Sequence, residues 1–222
     1  MKNPIRSMIA LVALLGTLGL SLNAAAQDAK AGEKKAAMCI GCHGIPDYKA
    51  SFPEIYRVPM LTGQNAKYIA SALAQYKKGD RKHPTMRGIA VSLSDQDMAD
   101  LAAFYGGEAK AAPAAAAAPA PANVPANVAE LLKKGNCASC HGADYNSPID
   151  PTYPKLAGQH GDYMYAALRE YQVVEKNPLV GRNNAIMAGM ARQFTHAEAK
   201  VLANYFATLP GDLKTVQQSR FR

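Results

Sequence analysis

Cys137-Ala138-Ser139-Cys140-His141 stands 98 residues after Cys39-Ile40-Gly41-Cys42-His43, and a glycine follows each pentapeptide, Gly142 and Gly44. Two thiols at this spacing with an adjoining imidazole form the attachment signature of c-type haem. The thiols add to the porphyrin vinyl groups, and the histidine is carried beneath the iron as its proximal ligand. Half of a zinc site, or a thioredoxin-like redox pair, would use the cysteines but leave both histidines without a task. Four cysteines in an exported chain could also pair as disulfides, yet the same histidine and glycine after both pairs argue for a repeated cofactor site. The sequence therefore calls for two covalently bound haem c groups. Cys39 and Cys42 hold one, Cys137 and Cys140 the other, and His43 and His141 are the proximal iron ligands.

Outward from the first motif, residues 1–26 contain Lys2 and Arg6, an apolar run from Met8 to Leu22, and Ala24-Ala25-Ala26. These are the charged, apolar and small-residue regions of a secretory signal. The apolar run is shorter than the roughly 20 residues of a spanning helix, so a retained anchor is the lesser reading. Cleavage and delivery to the periplasm are the expectation, and an oxidising compartment suits exposed thiol pairs. Without this segment, residues up to Ala112 hold 12 basic and 9 acidic side chains and the remainder 11 and 8, so each half is about +3. Neither half carries the basic run of a nucleic-acid arm. The positive surface suits docking onto a redox partner as well as plain solvation.

The internal repeat divides the exported chain into two domains, 27–108 and 127–222, separated by an Ala/Pro linker at 109–126 whose prolines prevent one continuous helix and favour an extended tether. Such a tether would keep the two lobes associated as one compact particle. Each domain opens on a short helix leading into the haem motif. Asp28 starts the first, and Asn127 with Glu130 forms a capping-box pattern for the second. An irregular stretch then closes on Pro59-Met60-Leu61-Thr62-Gly63-Gln64 and on Pro154-Lys155-Leu156-Ala157-Gly158-Gln159. A metal-bound imidazole needs an acceptor for its second nitrogen, and the carbonyls of Pro59 and Pro154 are the candidates, a role compatible with plain turns before a helix. Tyr68, Ala72, Leu73 and Tyr76 match Tyr163, Ala167, Leu168 and Tyr171 on amphipathic helices, where the aromatics read as core or haem packing. Ser94 with Asp97 and Thr195 with Glu198 open the last helix of each domain, which should pack against the first.

The sixth iron ligand is a choice between His83 and Met86 in the first domain and between Met187 and Met190 in the second. Aligning Leu93-Ser94 with Phe194-Thr195 sets Met86 opposite Met187 and Gly88 opposite Gly189, but sets Met190 opposite Ile89, which cannot ligate iron. His83 falls opposite Asn184. Met86 and Met187 are therefore the expected axial ligands, while Met8, Met38, Met60, Met98 and Met164 read as core fillers. His160 and His196, at a loop and a helix start, read as solvent-facing.

The doubled C-x-x-C-H, Pro-x-Leu-x-Gly-Gln and Met-x-Gly motifs, with Leu-Ser-Asp-Gln-Asp softened to Phe-Thr-His-Ala-Glu in the second copy, resemble the diheme class I cytochromes c of the cytochrome c4 type over the whole exported chain. The resemblance implies an all-α fold of two tandem class I cytochrome c domains, each a few helices wrapped around one covalently attached haem with His/Met ligation. It also implies a periplasmic electron carrier that is not itself an enzyme. Its donor would be a quinol-oxidising complex or dehydrogenase and its acceptor a terminal oxidase, with membrane association only through such partners. A diheme subunit of a dehydrogenase complex is the alternative. A diheme peroxidase fits less well, because it needs an open or displaceable sixth position. The long Ala/Pro linker departs from the family pattern.

Overall fold

The computed structural model describes residues 27–107, 120–173 and 177–216. The expected signal segment and residues 109–119 of the expected linker lie outside them. In the first lobe, α1 (Ala29–Lys35) starts at Asp28, whose carboxylate accepts from the backbone of Lys30 and Ala31, and leads into α2 (Ala37–His43), which carries the first haem motif. A two-residue hairpin of β1 (Lys49–Ala50) and β2 (Tyr56–Arg57) precedes α3 (Ala66–Lys78). Gly79 ends α3 with φ 94°, in the left-handed region where a side chain would be strained. After β3 (Arg81–Lys82) come α4 (Pro84–Ala90) and α5 (Asp95–Gly106), the latter opened by the Ser94/Asp97 capping box. Helices α1 and α5 pack closely because Gly32 lies on the Asp100 carbonyl, into which any added methyl would run.

The second lobe repeats the order with α6 (Ala126–Gly135), α7 (Ala138–His141), α8 (Gly161–Gln172), β4 (Gly181–Arg182), α9 (Ala185–Ala191) and α10 (His196–Thr208). The Thr195/Glu198 capping box forms. The one expected at Asn127 does not: Pro125 occupies the N-cap and Asn127 lies inside the first turn, the proline ring having preset the entry into the helix. The fold is helical with four strands of two residues each among the described residues.

Each lobe has its own core. Ile40, Ile69, Leu93, Met98, Leu101 and Tyr105 close the first; Val128, Met164, Phe194, Leu202, Tyr205 and Phe206 close the second. Burial of Leu101 or Leu202 contributes about 2 kcal/mol each. Met38 corrects the sequence reading, being 50% exposed. Ala36 and Ile40, four residues apart, take the core side, and Met38 falls between them on the opposite face.

The lobes meet directly. β3 pairs with β4 antiparallel, Arg81 opposite Arg182, and the pairing continues with Asn183 N–H donating to the Asp80 carbonyl at 2.7 Å. Arg57 bridges to Asp162 at 3.1 Å, Arg169 to Glu54 at 3.2 Å, and Thr62 pairs with Lys214 near the C-terminal end. Among the described residues no helix is long and apolar enough to cross a membrane.

Candidate functional site

In both lobes the haem motif lies on a short helix that ends at its histidine, so the imidazole projects from a helix terminus towards the irregular stretch that follows. His43 Nδ1–H donates to the Pro59 carbonyl at 2.9 Å, and His141 Nδ1–H donates to the Pro154 carbonyl at 2.9 Å. The bond settles the tautomer, because a carbonyl only accepts, and it leaves Nε2 as a bare lone pair. Desolvation lowers both imidazole pKa values against the opposing effect of these bonds, which favours the neutral ring that a metal requires. All four cysteines are free thiols. Burial pushes the Cys39 thiol up and the Cys137 thiol to about 11.

Met86 and Met187 sit one turn into α4 and α9, and a side chain caps each helix at the same point. Met86 N–H donates to His83 Nδ1 at 3.3 Å, and Met187 N–H to Asn184 Oδ1 at 2.9 Å. His83 and Asn184 thus share a capping task, which gives His83 an occupation other than iron ligation. The far ends of the same segments are tied to the preceding helix. Lys77 Nζ donates to the Leu93 carbonyl at 2.6 Å, and Gln172 Nε2 to the Ala191 and Phe194 carbonyls at 2.8 and 2.9 Å. Met190 is engaged differently, its sulfur lying 3.7 Å from Gln193 Nε2. His196 is exposed and His160 is partly buried near Arg57, so the solvent-facing reading holds for the first and is too simple for the second.

Between the lobes lies a polar cluster that sequence reasoning missed. Arg81, Arg182 and Glu170 are each 4% exposed. Arg182 Nε donates to Glu170, whereas among the described residues Arg81 has no carboxylate partner and its Nε is buried without any acceptor. Tyr163 Oη accepts from both guanidiniums at 3.3 Å, and Arg81 also reaches Tyr68 Oη at 3.4 Å. The Arg81 guanidinium stands 4.7 Å over the Tyr76 ring, and that of Arg182 5.6 Å over Tyr171. Burial alone would raise the Tyr163 phenol, but the two guanidiniums bring it below its ordinary value. The four tyrosines therefore hold cations as well as fill space. The available signal was the repeat itself, since the register that pairs Met86 with Met187 also pairs Arg81 with Arg182.

These residues fit a c-type haem. A haem offers two vinyl carbons, an iron that accepts a nitrogen lone pair, and two carboxylates. The chain presents paired thiols, a bare Nε2 beside them, and at Arg81 a buried cation whose Nε lacks an acceptor. Among the described residues no group of three or more His, Cys, Asp or Glu is arranged so that it could hold a metal ion, so a zinc site on either cysteine pair would want its other ligands.

Comparison with known proteins gives the same picture. The family described as Cytochrome c matches residues 29–105 and again 125–210. Cytochrome c4 of Azotobacter vinelandii is 32% identical over 218 residues, covering 90% of this chain and 98% of that protein. The thiosulfate dehydrogenase electron acceptor of Stutzerimonas stutzeri (strain A1501) is 32% identical over 209 residues, covering 88% and 92%. The crystal structure of reduced recombinant cytochrome c4 from Pseudomonas stutzeri superposes with a TM-score of 0.59 at 26% identity, covering 83% of this chain and all of that one.

Proposed function

From the premise that the chain belongs to the cytochrome c family, as a two-domain member of cytochrome c4 type that binds two haem c groups, we propose that it carries single electrons in the periplasm between a quinol-oxidising complex and a terminal oxidase. It is an electron carrier, not an enzyme. The domains are taken as 27–108 and 127–222, with export directed by residues 1–26.

Cys39 with Cys42 and Cys137 with Cys140 would form the thioether bonds. His43 and His141 would give Nε2 to the iron, and Met86 and Met187 would supply the sulfur ligands. When bound, the haems supply a one-electron iron couple. The chain tunes and shields it. Methionine sulfur in place of a second imidazole favours the reduced state and raises the potential. The capped and tied helices bearing Met86 and Met187 keep those ligands in place, and the Pro59 and Pro154 carbonyls fix the ring planes. The observation that carries this reading is the doubled imidazole-to-proline bond at 2.9 Å, one in each lobe, over a pair of free thiols.

The test is oxidation of the purified, reduced protein by oxidase-containing membranes, followed by stopped flow at increasing salt. Fast transfer that slows with salt is expected, because surface charge steers the encounter. No transfer to any oxidase would overturn the respiratory route. A second reading, service as the electron acceptor of a dehydrogenase, is favoured by the likeness to the Stutzerimonas protein. Rapid reduction by a thiosulfate dehydrogenase, with indifference to quinol-oxidising membranes, would select it.

A further inference from the structure

We propose that Gln64 and Gln159 are crossed positioning residues, each setting the proximal imidazole of the opposite lobe. Gln159 Oε1 accepts from Met60 N–H at 3.0 Å, and its Nε2 donates to the Met60 carbonyl at 3.0 Å. Reciprocally, Gln64 Oε1 accepts from Lys155 N–H at 2.9 Å, and its Nε2 donates to the Lys155 carbonyl at 3.0 Å. Both side chains are 5% exposed, and the same oxygens also accept from the backbone of the next residue, His160 N–H at 3.0 Å and Asn65 N–H at 2.9 Å. Every polar atom of each buried amide is thus committed.

The consequence comes from the peptide group between the proline and the residue after it. The Pro59 carbonyl that accepts from His43 and the Met60 N–H that Gln159 takes belong to one planar unit. That unit is held at its oxygen by the imidazole of its own lobe and at its nitrogen by the other lobe. The Pro154–Lys155 peptide is held in the same way by His141 and Gln64. A planar amide cannot rotate one end without the other, so the amide of one lobe orients the carbonyl that orients the imidazole of the other. Hydrogen bonds in series also polarise one another, so accepting at the N–H makes the carbonyl a stronger acceptor and the imidazole a more basic ligand. Neither half of the chain can reproduce this alone.

The inference rests on the reading of His43 and His141 as iron ligands, and the test separates the two. In the reduced holoprotein, Nδ1–H exchange of each histidine is followed by NMR, and each haem's midpoint potential by redox titration. Gln159→Leu is expected to speed His43 Nδ1–H exchange about fivefold and to raise the first lobe's potential, leaving His141 and the second lobe unchanged. Gln64→Leu should do the reverse. Gln159→Glu, which keeps an acceptor for Met60 N–H, should restore slow exchange at His43 if Gln159→Leu loosens the interface. Changes confined to the mutated lobe, equal changes at both histidines, or none would overturn the proposal. Failure of the ligand reading would appear separately, as wild-type His43 and His141 ring-proton signals at ordinary positions instead of the large upfield shifts of an imidazole bound over a haem.

Discussion

In the first lobe Gln75 turns its amide onto Ser71 Oγ at 3.0 Å, whereas Glu170, its counterpart in the second lobe, takes the guanidinium of Arg182. Around this exchange the haem-binding parts of the lobes are alike: the same haem motif, the same proline acceptor, the same capped helix bearing a methionine, and an arginine at the same place on a paired strand. The features that hold a cofactor occur twice. Of the features that face the other lobe, the acid is the one that does not match: Arg182 is neutralised by Glu170, whereas Arg81 has no acid of its own among the described residues. Duplication alone therefore does not make two equal sites.

The largest test of this comparison removes one side of it. Replacing Cys137 and Cys140 together by alanine should leave one haem per chain in a pyridine haemochrome assay, and two remaining haems would refute the assignment of cysteines to lobes. Next, Glu170→Gln copies the first lobe's residue into the second and leaves two buried guanidiniums without a carboxylate. Denaturant unfolding of the holoprotein should show a loss of about 3 kcal/mol, the usual result of breaking a buried ion pair from one side. A loss below about 1 kcal/mol, the level of an exposed pair, would mean that other groups neutralise Arg182. Met86→His and Met187→His should each remove about half of the weak red-end charge-transfer absorbance and lower the potential of that lobe only, since a second imidazole replaces sulfur. Met190→Leu should leave the band untouched.

The smallest effect concerns acid. In the first lobe Lys35 pairs with two carboxylates, Asp97 at 2.7 Å and Asp100 at 2.6 Å; in the second, among the described residues, Lys134 pairs with Glu198 alone at 3.0 Å. The Lys35 ammonium and the Ser94 cap hold Asp97 well below the usual carboxylate range. Burial would raise Asp100, but Lys35, Asp28 N–H and Gln96 outweigh it. The Thr195 backbone, Lys134 and the Thr195 hydroxyl bring Glu198 from 4.5 to about 2. All three folded-state values lie below the unfolded ones, so their stabilisation is complete above the ordinary carboxylate range and is lost as pH falls through the lowered values. Acid titration of single-haem variants should accordingly show the first lobe losing more stability than the second, and equal losses would discount the extra carboxylate.

The sequence made the cofactor site legible because its signals are local. Two thiols and an imidazole within five residues, a proline-bearing turn, and Ser/Asp and Thr/Glu at cap spacing each declare their chemistry without reference to the rest of the chain. Choosing between Met187 and Met190 needed one further step, the register of the repeat. What escaped notice were contacts between lobes. Gln64 and Gln159 close a turn motif in the sequence, and Arg81, between Asp80 and Lys82, carries no local mark of burial. Nothing within a dozen residues of either reveals that it meets the other lobe. Asn127 was misjudged for the opposite reason: its local pattern was sound, and Pro125 two residues earlier had already set the start of the helix.

The two lobes meet through matching patches, strand to strand and glutamine to peptide, in the manner of a twofold homodimer, yet both patches belong to one polypeptide. A homodimer with so modest a set of contacts would come apart on dilution, its paired fraction rising and falling with expression level. Here pairing is a unimolecular event, and the docked fraction is the same in a dilute compartment as in a crowded one. A cell can therefore vary the abundance of this carrier freely without altering the distance between its two sites.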